Sequence, residues 1–289
     1  MIPPAFEYLR PNTIPEAIAF LQQYGEDAKV LSGGQSLIPM MKFRLARPGY
    51  LIDINRISGL SYIKEEAEYL KIGGLTREAE LENSLLIHSK YPIIFDTARV
   101  IADPQVRNMA TLAGNLAHGD PANDHPATML ALGAQVVAVG PQGERVLPIE
   151  SFFVTLFTTV LQHDEIVREV RIPTPPPRSG GAYLKLERKV GDFATAGVAV
   201  QLTLDAGGLC QKVGIGLTNV GATPVKASKA EEALRGKKLD EAAIVQASQL
   251  AADEAQPSSD LRGPADYKKG LVKELTRRAL ARAYERAGK

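Results

Sequence analysis

A single cysteine, Cys210, stands in 289 residues. One thiol cannot form an internal disulfide, a four-cysteine zinc site or a cysteine-ligated iron–sulfur cluster. Redox chemistry, if the chain takes part in any, must then come from a bound organic cofactor. Charge of one sign is equally scarce: 34 basic against 33 acidic side chains leave a formal net charge of +1, which argues against a general nucleic-acid or polyanion binder. No apolar run reaches the ~18 residues of a membrane span. Residues 1–7 lack the basic region and apolar stretch of a secretory signal, so the expected location is the cytoplasm.

Common catalytic signatures are missing too. The chain has no Gly-Lys-Ser/Thr of a Walker loop, no Gly-x-Gly-x-x-Gly and no serine in a Gly-x-Ser-x-Gly elbow. His118, Asp120, Asp124 and His125 crowd one stretch, but their spacing matches no common ligand pattern and no metal site is assigned.

What remains, 45% hydrophobic and 23% charged, is an ordinary globular composition. At ~150 residues per domain the length suggests two. Thr13-Ile14-Pro15-Glu16 reads as a capping box opening a helix over 17–24, which Gly25 stops. Strands read at 28–31 and 50–54, with Ser32-Gly33-Gly34-Gln35-Ser36 and a helix over 37–46 between them. A strand follows at 69–72, then helices over 76–81 and 91–101. A hairpin pairs 136–139 with 144–147 around Gly140-Pro141-Gln142-Gly143. Residues 103–126 read as a long, turn-rich functional loop. Pro175-Pro176-Pro177 marks a domain border. Beyond it come strands at 182–187, 194–204 and 213–217, then helices near 227–234, 240–254 and 265–287.

Two segments could hold an anion. Ser32-Gly33-Gly34-Gln35-Ser36 lies between a strand and a helix. Glycines there remove the Cβ that keeps a phosphate from the backbone, and helix-start amides supply donors. By itself a Gly-Gly pair also marks plain turns. Thr111-Leu112-Ala113-Gly114-Asn115 repeats the theme of small residues with polar ends.

These segments are accompanied, in order, by Leu37-Ile38-Pro39-Met40-Met41-Lys42, Ile101-Ala102-Asp103-Pro104-Gln105-Val106-Arg107-Asn108, His118-Gly119-Asp120-Pro121-Ala122-Asn123-Asp124-His125-Pro126-Ala127, Lys189-Val190-Gly191-Asp192-Phe193-Ala194 and Asp260-Leu261-Arg262-Gly263-Pro264. Together they resemble the medium, FAD-binding subunit of the molybdenum hydroxylase (xanthine dehydrogenase) family, above all its aerobic carbon monoxide dehydrogenase branch. The likeness runs from Pro4 to the C-terminal helix. It implies an α+β fold: a PCMH or vanillyl-alcohol-oxidase-type FAD-binding domain over 1–176, with subdomains of about 1–56 and 57–176, then a C-terminal domain of antiparallel strands and helices over 177–289.

The family's two pyrophosphate loops map onto Ser32, Gly33, Gly34, Gln35 and Ser36, and onto Thr111, Leu112, Ala113, Gly114 and Asn115. Lys29, Val30 and Leu31 would border the same non-covalently bound FAD. Asp124, Leu161 and Lys185 would line the site and Ile101 would pack near the isoalloxazine. Phe193 would either stack near that ring or be a core aromatic at a strand start. Lys185 would either favour the reduced flavin anion or be a strand-end surface lysine. Substrate oxidation would fall to a large molybdopterin-containing subunit and electron relay to a small [2Fe–2S] subunit, in a dimer of heterotrimers. This chain would pass the electrons through FAD to an external acceptor, with no catalytic residue of its own.

Two departures from the family pattern matter. Ala113 replaces the first of two glycines, and its methyl would crowd the phosphate if the position needed φ > 0 and be harmless otherwise. Ser32 and Gln35 stand where Ala-Gly-Gly-His-Ser is common, and Gln35 still offers a donor. These two changes are what supports a flavin-free binding or assembly module. An aldehyde or N-heteroaromatic dehydrogenase subunit, and a self-contained flavin reductase resembling cell-wall UDP-sugar reductases, are also open on the sequence. At the C-terminus, Lys268, Lys269, Lys273, Arg277, Arg278, Arg282 and Arg286 read as the solvated face of an amphipathic helix, opposite Leu271, Leu275 and Ala279.

Overall fold

The computed structural model describes residues 1–288. The chain opens with β1 (Glu7–Leu9), α1 (Ile14–Tyr24), β2 (Ala28–Leu31), α2 (Leu37–Lys42) and β3 (Tyr50–Asp53), and β3 lies between β1 and β2, parallel to both. The expected cap forms at Thr13, whose hydroxyl accepts the Glu16 amide at 3.2 Å. The Glu16 carboxylate answers one residue earlier than a capping box requires, taking the Asn12 amide at 2.7 Å. Helix α2 is shorter than the expected 37–46: Arg44 turns left-handed (φ 64°) and the Leu45 amide folds back on the Met40 carbonyl.

Next come β4 (Ile63–Glu66), β5 (Tyr69–Gly73), α3 (Glu78–Asn83), α4 (Leu85–Lys90), α5 (Pro92–Ala98), α6 (Pro104–Arg107), α7 (Leu112–His118) and α8 (Asp124–Leu132). They are followed by β6 (Gln135–Gly140), β7 (Gly143–Pro148), β8 (Phe153–Thr155), β9 (Thr158–Thr159) and β10 (Ile166–Pro173). The antiparallel sheet runs β4-β5-β10-β6-β7. Its middle strand, β10, escaped the sequence pattern because a register shift between Val167 and Glu169 breaks the period of two.

The loop expected over 103–126 is largely helical. Asp103 caps α6 through the Val106 amide (2.9 Å), Thr111 caps α7 through the Gly114 amide (3.1 Å), and Gly119 (φ 66°) ends α7. Every residue of α8 is buried, so it shows no amphipathic stripe. The core here joins Leu70, Ile72, Val136 and Val170 of the sheet to Ile93, Leu112, Leu116 and Met129 of the helices.

The last stretch forms the antiparallel sheet β11 (Ser179–Leu186), β12 (Ala196–Leu204), β13 (Cys210–Thr218) and β14 (Val225–Lys226), followed by α9 (Ser228–Leu234), α10 (Glu241–Glu254) and α11 (Ala265–Ala287). Val213, Ile215 and Leu217 of β13 share a core with these helices. The alternate residues Gly214 and Gly216 face α8 so closely that a Cβ would fall on the carbonyl oxygens of Ala131 and Ala127. On α11 the buried residues are Lys268, Val272, Thr276, Ala279, Leu280, Ala283 and Ala287. The basic face is thus only partly solvated: Lys268 is buried against Asp260 (2.7 Å), and Arg286 reaches inward to Asp96 (2.6 Å) and the Gly181 carbonyl. Among the described residues no helix is long and apolar enough to cross a membrane.

Candidate functional site

Residues 32–36 carry the chain from the end of β2 into α2. Gly34 adopts φ 73°, in the region that favours glycine. Gly33 lies flat against the backbone entering α7: a Cβ would stand 2.5 Å from the Met109 carbonyl oxygen and 2.8 Å from the Ala110 Cα. The hydroxyls of Ser32 and Thr111, 79 positions apart, are 3.0 Å from each other. The fold therefore brings the two small-residue segments edge to edge.

Between them opens a cavity of about 280 Å³. One wall is Lys29, Val30 and residues 32–37 with Met40; the other is Ala110, Thr111, Gly114, Asn115, Ala117 and His118. Thr111, Gly114, Asn115 and His118 follow helical spacing, so one face of α7 lines the cavity along its length. An adjoining chamber of about 70 Å³ shares Val30, Ser32, Gly114 and Ala117, and adds Ile54, Gly74, Ala113, Leu161, Glu165, Ile166 and Val167.

Several polar groups here are unspent. Among the described residues Gly33 and Gln35 make no hydrogen bond, and the buried Oδ1 of Asn115 has no partner. A buried polar atom left alone costs ~1–3 kcal/mol, which a ligand's own polar atoms would offset. Burial holds the His118 imidazole below its usual value against the pull of Asp120, and its ring packs at 5.1 Å on Phe157. The unspent groups of Gly33 and Gln35 beside a glycine cradle suit the polar linkage of a dinucleotide.

Residues 4–175 match the family model for the FAD binding domain in molybdopterin dehydrogenase, and residues 181–283 that for the CO dehydrogenase flavoprotein C-terminal domain. The chain belongs to this flavoprotein family. The carbon monoxide dehydrogenase medium chain of Hydrogenophaga pseudoflava is 44% identical over 286 residues, covering 99% of each chain. The 6-hydroxypseudooxynicotine dehydrogenase complex subunit alpha of Paenarthrobacter nicotinovorans is 37% identical over 287 residues, covering 99% of this chain and 97% of the relative. A solved structure of the Hydrogenophaga pseudoflava carbon monoxide dehydrogenase lacking the Mo-pyranopterin moiety superposes with a TM-score of 0.96 at 46% identity, over 99% of each chain. The protein is thus an oxidoreductase subunit with an FAD-binding domain, and its α+β architecture is that of the family.

Within that frame the anticipated residues divide. Lys29, Val30, Ser32, Gly33, Gly34, Gln35, Ser36, Thr111, Gly114 and Asn115 line the cavity, and Ala113 and Leu161 line the chamber. Leu31 is adjacent without lining either, and Leu112 points into the core. Ala113 sits inside α7 with helical backbone, so the positive φ under which its methyl would crowd the phosphate does not arise.

Asp124, Lys185, Ile101 and Phe193 lie outside both spaces. Lys185 is no surface lysine: its side chain is 2% exposed and meets Asp124 (3.0 Å), Glu187 (3.2 Å) and the Val100 carbonyl (3.0 Å). The Tyr183 hydroxyl donates to Asp124 at 2.6 Å. Burial pushes the Asp124 carboxyl and the Tyr183 phenol upward. Phe193 is no core aromatic either, being 47% exposed beneath the Arg262 guanidinium at 5.9 Å.

Sequence reasoning missed the lining role of Leu37, Met40, Ala117 and His118, and the β10 residues Ile166 and Val167. Had α7 been recognised, counting one helical face onward from Thr111 would have reached His118. Among the described residues no three histidine, cysteine, aspartate or glutamate side chains group to hold a metal ion. His125 instead pairs with Glu78 at 2.7 Å, both fully buried.

Proposed function

We propose that this chain is the FAD-carrying electron-transfer subunit of a carbon monoxide dehydrogenase-like molybdenum hydroxylase. A large molybdopterin subunit oxidises the substrate, a small [2Fe–2S] subunit conducts the electrons, and they leave through this chain's non-covalent FAD to an external acceptor. The three chains pair as a dimer of heterotrimers. The observation that carries this reading is the meeting of residues 32–36 and 111–115 across a cavity with unspent polar groups.

Bound FAD supplies one- and two-electron redox chemistry, and the protein supplies binding, orientation and electrostatics. Gly33 and Gly34 let the backbone approach the pyrophosphate, and Gln35, Ser36, Thr111 and Asn115 offer it donors. Lys29 brings a positive charge to the same wall. Ile101, Asp124, Lys185 and Phe193, beyond the cavity and the chamber, would border the isoalloxazine in this reading, with the buried Asp124–Lys185 pair at that end. No side chain is assigned to substrate oxidation. Residues 1–176 form the FAD-binding domain, and 177–289 a domain that helps hold the subunits together. Cys210 is the single cysteine and is buried, too few thiols to hold an iron–sulfur cluster, so in this reading the clusters belong to a partner. The relative at 37% identity keeps open the same role beside a different large subunit.

Flavin content and acceptor reduction in the purified complex test the proposal. It expects one FAD per chain, and expects flavin removal to abolish acceptor reduction while substrate still reduces the molybdenum and iron–sulfur centres. A complex without flavin, or undiminished acceptor reduction after its removal, overturns it.

A further inference from the structure

Behind the two loops, outside the cavity, runs a relay of polar side chains. Asn55 donates from Nδ2 to the Ser32 carbonyl at 2.9 Å, fastening the first loop. The Asn55 Oδ1 accepts from an Arg77 guanidinium nitrogen at 2.5 Å. The other terminal nitrogen of Arg77 donates to the Met109 carbonyl at 2.5 Å, just before the second segment. The Arg77 backbone forms an antiparallel bridge with Thr111, and the Glu78 amide donates to the Ala110 carbonyl at 2.9 Å. Asp53 orients the relay from the far side, accepting both the amide and Nδ2 of Asn55 (2.9 and 2.6 Å) and the hydroxyl of Tyr8. Despite its burial, those hydrogen bonds hold the Asp53 carboxyl below its usual range, so it stays an acceptor.

We propose that Arg77 and Asn55 are positioning residues that fix the gap between the two loops and thereby set how tightly the dinucleotide is held. The inference rests on the FAD reading above. Neither residue lines the cavity, so both act through the loops. Ser32 and Met109 belong to segments that share no strand pairing. Their register depends on the Ser32–Thr111 hydroxyl contact, the flat packing of Gly33 and this relay. Arginine suits the task because its planar guanidinium holds two acceptors at a fixed separation, which a lysine ammonium cannot reproduce. A gap set before binding spares the ligand the cost of ordering the loops.

The test is FAD titration of the full-length chain after flavin removal, followed by quenching of flavin fluorescence, with the thermal midpoint of each variant measured alongside. Arg77→Ala and Asn55→Ala are each expected to raise the Kd about tenfold. The double variant is expected to be no weaker than the worse single one by more than about twofold, because both are links of one chain. Arg77→Lys keeps the charge and is expected not to restore affinity. Arg168→Ala, which breaks the exposed Arg168–Glu144 pair, is the control and should bind like wild type. If Arg77→Ala fails to fold, Asn55→Ala carries the test, since it leaves the Arg77–Met109 bond in place. Wild-type affinity in Asn55→Ala, or recovery in Arg77→Lys, overturns the relay alone. A wild-type chain that takes up no FAD overturns the underlying reading and the relay with it.

Discussion

The two segments that meet at the cavity look alike in sequence and are built differently. Residues 32–36 form a true loop, where Gly34 is left-handed and Gly33 has backbone where a Cβ would go. Residues 111–115 are the start of a helix, capped by its own threonine, and tolerate an alanine at 113. At Gly114 a Cβ would meet only the Thr111 hydroxyl oxygen, at 2.8 Å. Small residues thus serve two ends: in the first segment they make room for neighbouring backbone, in the second they keep one helix face low beside the cavity.

The sharpest way to break this contrast is Gly33→Ala. The added methyl must displace the Met109–Ala110 backbone, at an overpacking cost of ~1–3 kcal/mol. If that cost falls on the bound geometry, FAD titration will show affinity reduced about ten- to hundredfold. Wild-type binding in this variant would mean the first segment is as forgiving as the second. Thr111→Ala should do less. It removes the α7 cap and the contact to Ser32, so urea unfolding should show a loss of ~1 kcal/mol, with FAD held a few-fold more weakly. Smallest is Ala113→Gly, which removes the Ala113 methyl from the start of α7. A glycine inside a helix costs ~0.5–1 kcal/mol, and FAD affinity should stay within about twofold. A tenfold gain would show instead that the Ala113 methyl crowds the ligand.

How far each part was legible follows from the range of the interactions that make it. Thr13, Pro15 and Gly25 announce α1 because a cap is a contact between near neighbours. The β6–β7 hairpin was legible for the same reason. Helix α8 was not, since a helix buried on every side carries no stripe. Nor was β10, whose bulge shifts its inward residues out of alternation. At the site, both small-residue segments stood out, yet nothing local said that α7 would present Thr111, Asn115 and His118 along one wall. Asn55 and Arg77 carried no local signal of this role, because the loop carbonyls they hold, those of Ser32 and Met109, lie 23 and 32 positions away.

By itself the sequence bounded the chemistry this chain can carry out. One cysteine rules out an iron–sulfur cluster in this chain, balanced charge argues against a polyanion partner, and two small-residue segments anticipate an anion. These are statements about composition and neighbours, which need no fold. Only the tertiary structure decided that residues 32–36 and 111–115 face each other, that Lys185 spends its charge on Asp124 and Glu187, and that Arg77 bridges towards both loops. Each of these except the Lys185–Glu187 pair joins residues tens of positions apart. Such contacts arise when elements distant in the chain pack together, because burial and close approach select their partners and no local propensity encodes them.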